Sequence, residues 1–208
     1  MNFDAHPYRY PSGTSDRLHR PAGYKDYQDF RPWLDDEFLF RCVYCLKRQQ
    51  WAPTDIWAVD HLVPQSEDPD RTHDYTNLIL SCQWCNSRKL AAEVPDPVEK
   101  PYGDRLEVDR TTGEVSPLND DGKILIRILK LNHPKQVETR RDHLRSLRII
   151  AKVDPDHWIH LMGFPSELPD LSRKRPPEGN RRPEGIPESC HEIKQRGELP
   201  EILESSRN

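Results

Sequence analysis

Four of the five cysteines fall in two Cys-x-x-Cys pairs, Cys42/Cys45 and Cys82/Cys85, with 36 residues between the pairs. Two such pairs supply four thiolates, the set that closes a tetrahedral Zn2+ site and leaves no position for substrate. The expectation is a structural zinc that stabilises a segment with little core of its own. An odd cysteine count argues against a disulfide framework and for a reducing compartment, and Cys190 is left as a free thiol. Between the pairs stand adjacent Asp60 and His61, and then Asn77; Asn86 and Lys89 follow the second pair at once. A neutral imidazole, with an unperturbed pKa of about 6.5, can take a proton from water at cellular pH. A carboxylate and an amide oxygen, here Asp60 and Asn86, are hard donors that suit hydrated Mg2+ better than Zn2+.

For these groups to meet, the chain between the pairs must double back. Residues 56–60 (IWAVD) read as a strand and 77–81 (NLILS) as a second, joined by a polar loop. A short helix is expected after Cys85 (NSRKLAAE), which makes the order β-β-α. Side chains alternate along a strand, so Asp60 and His61 face opposite ways, one toward a metal and the other toward a water. A helix over about 32–41 leads into Cys42, with Pro32 tolerated in its first turn. Trp51, Trp57 and Trp84 could stack on bases, but so small a unit needs them as core.

The stretches Cys42-Val-Tyr-Cys45, Val59-Asp60-His61-Leu62-Val63-Pro64, Asn77-Leu78 and Cys82-Gln-Trp-Cys85-Asn86-Ser-Arg-Lys89 together resemble the HNH, or ββα-metal, endonucleases. VDHLVPQS is similar to the same stretch in the HNH domain of CRISPR effector nucleases. The resemblance covers about fifty residues. It implies that His61 is the general base, Asp60 a metal ligand and Asn86 the second metal ligand. It gives Asn77 the task of holding the His61 loop by hydrogen bonds, and Lys89 a phosphate contact. The implied cofactors are structural Zn2+ and a catalytic Mg2+ or Mn2+, with Asn at position 86 leaving the choice of ion open. The implied substrate is nucleic acid, DNA ahead of RNA. A weaker resemblance, in Leu131-Asn132 and Arg140/Arg141, is to HNH subunits of bacterial anti-phage defence systems. A protein partner that gates activity, as in such systems, is expected from the irregular N-terminal arm and the C-terminal tail. The alternative is a catalytically silent zinc module that binds nucleic acid or protein, in which Asp60, His61 and Asn86 are coincidental.

The fold class expected is α+β: a ββα core stapled by zinc, with helical extensions and irregular termini. Residues 1–23 read as an irregular arm, 24–92 as the nuclease domain and 93–103 as a proline-rich linker. A hairpin near 106–116 precedes helices near 120–132 and 135–152, with a short third helix over 154–162. Residues 163–208 are poor in apolar groups and rich in Pro, Glu and Arg, which predicts a disordered tail. The whole chain is 34% hydrophobic and 32% charged with twenty prolines, so only part of it can build a compact core.

The net charge of -4 excludes a simple nucleic-acid coat, yet residues 123–152 carry nine Lys/Arg against two acids. That asymmetry points to local phosphate attraction. Arg140, Arg141, Arg145 and Arg148 either grip phosphates or form a solvated helix face. There is no apolar run long enough to span a membrane and no apolar signal segment, so the expected location is the cytoplasm.

Overall fold

The computed structural model describes residues 5–13 and 16–203. A single 3-10 turn, Tyr27–Phe30, runs directly into α1, Arg31–Glu37. Pro32 sits in the first turn of α1, where its missing N–H costs no hydrogen bond. The helix stops sooner than expected because Leu39 and Phe40 both take left-handed backbone angles, φ 53° and 55°. The chain then turns into the knuckle 42–47, which an Arg41–Arg48 bridge closes at its base.

Strand β1, Trp57–His61, pairs antiparallel with β2, Leu78–Cys82. The register sets Val59 opposite Leu80, Asp60 opposite Ile79 and His61 opposite Leu78. All five residues of β2 are buried. Leu78 and Leu80 face Phe30, Trp33 and Leu34 on the α1 side. Ile79 faces the opposite cluster, with the four cysteines, Tyr44 and Tyr102. The pair is therefore covered on both faces, and its alternation sorts Asp60 to one side and His61 to the other.

Helix α2, Gln83–Lys89, begins immediately after β2 with Cys82 as its N-terminal flanking residue, not after Cys85. It packs on both strands. A second hairpin, β3 Leu106–Val108 with β4 Val115–Pro117, follows a 3-10 turn. Its turn requires Gly113: at φ 73°, a Cβ would also lie 2.8 Å from the Arg141 amide nitrogen.

Helix α3, Asp120–Leu129, is capped by the Asn119 side chain, which accepts from the Gly122 N–H at 3.0 Å. The Asp120-Asp121 pair follows in the first turn, where negative charge suits the helix N-terminus. Helices α4, Pro134–Val153, and α5, Pro155–Met162, each start on a proline. Among the described residues, no helix is long and apolar enough to cross a membrane.

The two terminal segments are packed among the described residues. Among its described residues the arm has no regular structure, as expected, but is packed: Tyr8 and Tyr10 are buried, and the Tyr10 hydroxyl donates to the Tyr44 carbonyl at 2.6 Å. The 163–203 segment, expected to be disordered, is also packed, and includes a short helix α6, Cys190–Gln195. Leu171, Cys190 and Leu203 are buried.

Two buried polar groups tie this segment down. Asp36 accepts the Cys190 N–H at 2.8 Å and the His19 imidazole at 2.8 Å, and Arg48 donates to the Leu203 carbonyl at 3.0 Å. Low apolar content under-reports order here, because a few well-spaced leucines and backbone bonds to distant buried charges fix the path.

Candidate active site

The four cysteine sulfurs lie within 4.8 Å of one another and are all buried. Cys45 and Cys82 sulfurs are 3.7 Å apart. Tetrahedral Zn–S bonds of about 2.3 Å require S···S separations of about 3.8 Å, and a disulfide requires about 2 Å. The knuckle is shaped by Leu46, at φ 60°, whose N–H returns to the Cys42 carbonyl at 2.9 Å. Val43 N–H bonds the Leu80 carbonyl at 3.1 Å, fastening the knuckle to β2. Hydrogen bonds from Cys42, Cys45 and Cys85 hold the Cys82 thiol far below its ordinary range, while burial pushes the Cys42 thiol up. So dense a set of buried thiols fits zinc.

At the other end of the strand pair stand Asp60 and His61. Asp60 turns to the zinc-side cluster. Its Oδ2 accepts the Tyr44 hydroxyl at 2.8 Å, and its Oδ1 accepts the His61 N–H at 2.8 Å and the Lys89 ammonium at 3.4 Å. Burial pushes the Asp60 carboxyl above its usual value, against the pull of Lys89 and Tyr44.

His61 turns to the α1 side and meets the Tyr27 ring edge-on, with centroids 4.8 Å apart. Its Nε2 lies 3.0 Å from the Thr72 carbonyl oxygen, which can only accept. Donation to that oxygen puts the proton on Nε2 and leaves the Nδ1 lone pair free, while the Gln65 amide nitrogen lies 3.2 Å from the same Nε2. Burial lowers the His61 pKa from its ordinary value, which favours the neutral ring.

Asn77 is fully buried and spans the loop that follows His61. Its oxygen accepts the Val63 N–H at 2.8 Å, and its amide donates to the Val63 carbonyl at 3.1 Å and the Arg71 carbonyl at 3.2 Å. Asn86 lies on α2 one turn before Lys89 and is half-buried.

Lys89 departs from the expected phosphate contact. It is 1% exposed and donates to the His61 carbonyl at 2.6 Å as well as to Asp60. A buried carboxylate needs a counter-charge, and Lys89 supplies it while pinning the end of β1.

A carboxylate offers about four acceptor positions, of which Asp60 uses three. The remaining position on Oδ2 and the amide oxygen of Asn86 give two hard oxygens on neighbouring elements, a donor set that fits Mg2+ or Mn2+. Replacing Lys89 by methionine is expected to cost about 3–5 kcal/mol, because it leaves Asp60 buried without a cation. Added Mg2+ should recover part of that loss. Urea titrations with and without Mg2+ read both effects; an unchanged midpoint would contradict the pairing.

Tyr44, Tyr27 and Gln65 were not singled out from sequence. Tyr44 sits inside the first Cys pair and Gln65 four residues past His61, so proximity to the motif was the available signal. The Thr72 contact is a backbone carbonyl and carries no residue-type signal at all.

Arg140 is buried and donates to the Gly113 and Leu131 carbonyls, both at 2.6 Å. It holds the second hairpin to α4 and is not available to phosphate. The three tryptophans pack against the hydrophobic clusters.

An antiparallel strand pair running into a helix, with Asp-His ending the first strand and a four-cysteine cluster at the far end, defines a ββα-metal module within an α+β protein. Residues 42–91 match the family model for HNH endonuclease, and the chain carries an HNH endonuclease domain over that stretch. No curated protein matches the chain.

Proposed function

We propose that this protein is a metal-dependent endonuclease that hydrolyses phosphodiester bonds, with DNA ahead of RNA as substrate. The observation that carries the reading is the 3.0 Å contact between His61 Nε2 and the Thr72 carbonyl oxygen, which favours the proton on Nε2 and Nδ1 as the base. In the reaction, His61 Nδ1 takes a proton from water, and the resulting oxygen attacks phosphorus as the bond to the 3′-oxygen breaks. A divalent ion held by Asp60 and Asn86 would neutralise charge on the phosphate and the departing oxygen. Asn77 keeps the loop carrying the Thr72 carbonyl in register with His61. Lys89 and Tyr44 orient Asp60. The buried zinc cysteines support the strand pair and touch no substrate.

Dependence on Mg2+ or Mn2+ tests this reading directly: plasmid nicking should appear on adding either ion to zinc-loaded protein and be absent without it. Nicking that is indifferent to both ions would overturn it. A cytoplasmic location fits four thiols kept reduced for zinc. A gating partner within a defence complex was suggested by terminal segments without a core of their own; both are packed among the described residues, and that reason falls away.

The pH dependence follows from His61. The base form is active, and burial depresses the pKa, so activity is lost only as pH falls through that lowered value. A divalent cation on Asp60 pushes it the same way. The acid limb of kcat/KM is expected below about pH 6.5, with a plateau through pH 7–8. A limb centred above pH 7 would contradict His61 as the base.

A further inference from the structure

The basic run in α4 divides in two once its residues are placed. Arg140 is buried and structural, whereas Arg141, Arg145, Arg148 and Lys152 are all exposed. At 100° per residue these four fall within about 60° of arc and span about 16 Å of a straight helix. Glu138 and Asp142 stand within one turn, yet Arg141, Arg145 and Lys152 make no ion pair or side-chain hydrogen bond among the described residues. Arg148 donates only to the Arg110 carbonyl, which brings the turn of the second hairpin alongside the stripe. Exposed Arg9 of the N-terminal arm joins the same neighbourhood: the positive charges of Arg110, Arg9 and Arg148 all act on His6. Three separate segments thus bring positive charge together, with the Asp109 carboxylate also beside Arg148, on a chain whose net charge is -4.

We infer that the Arg141/Arg145/Arg148/Lys152 stripe, with Arg9 and Arg110 beside it, docks the phosphate backbone of duplex nucleic acid apart from the cutting residues. Like charges held unpaired in a line repel one another, and a polyanion relieves that repulsion while releasing its counterions. The stripe lies along one face of a single 20-residue helix, which sets its charges in a line as a stiff duplex sets its phosphates. It carries no exposed aromatic side chain on which single-stranded bases would stack. The inference takes its partner class from the nuclease reading, but binding is measured without cutting, so the two can fail separately.

The test is fluorescence anisotropy of a labelled 20-base-pair duplex (about two helical turns) with the full chain, across about 50–200 mM salt. Wild type is compared with the triple variant Arg141→Gln/Arg145→Gln/Lys152→Gln, which spares Arg148 and its hairpin contact. His61→Ala serves as a cutting-deficient control. The triple variant should bind at least about tenfold more weakly, and its slope of log affinity against log salt should shrink by about 2–3 units. Its thermal melt should match wild type, and His61→Ala should keep full affinity. Unchanged affinity and slope in a folded triple variant would overturn the inference, as would failure of wild type to bind the duplex at low salt.

Discussion

Removing zinc, or replacing Cys82 by serine, is expected to unfold the ββα unit and much of what packs on it. Four buried sulfurs gather the knuckle, the end of β2 and the start of α2 at one point. Without the ion, the site is a cluster of mutually crowded thiols with no covalent link. Structural zinc contributes about 10–16 kcal/mol of apparent binding free energy at neutral pH, comparable with the entire stability of an ordinary domain at about 5–15 kcal/mol. The loss should spread beyond the knuckle, because Leu125 and Leu129 of α3 and Leu144 of α4 share one buried cluster with the cysteines. Even a loss of about 5 kcal/mol lowers the melting temperature by about 10–20 °C in a chain of this size. Circular-dichroism melts with parallel zinc determination read the outcome. A zinc-free protein that melts with the wild type would remove the metal from the folding account.

Replacing His61 by alanine should slow cutting by about 10²- to 10⁴-fold, the usual contribution of a positioned general base. Stability should change far less. The imidazole makes one well-formed bond, to the Thr72 carbonyl, and Asn77 holds the loop independently. One hydrogen bond contributes about 0.5–1.5 kcal/mol, so a large rate loss with a small melting shift separates catalysis from folding. Single-turnover rates set against thermal melts give both quantities. Equal rates for the two proteins would move the base elsewhere.

The sequence made the centre of this arrangement readable because chemistry and spacing coincide there. Two Cys pairs need a common ion, and alternation along the first strand separates Asp60 from His61. Strand limits were displaced by one residue, since Trp57 pairs with Cys82 and carries β1 through His61.

What escaped was settled by tertiary partners. Lys89 looked like a solvent-facing phosphate contact until the buried Asp60 carboxylate demanded a cation. Arg140 is indistinguishable by type from Arg141, and only the turn at Gly113 explains why one is buried and the other is not. The tail looked disordered because its anchors, Asp36, Phe40 and Arg48, lie more than a hundred residues away in the chain. Leu46 is left-handed without being glycine, and it is held so by the knuckle and not by local preference.

His61 is proposed to activate the nucleophile in a zinc-stapled ββα nuclease. This role is tested most directly by nicking of supercoiled plasmid in Mg2+, with wild type and His61→Ala compared at equal zinc content and equal thermal stability. Nicking by wild type that is lost in the variant is the predicted result. Equal nicking by both proteins, or none by folded, zinc-loaded wild type on any DNA or RNA offered, would contradict it.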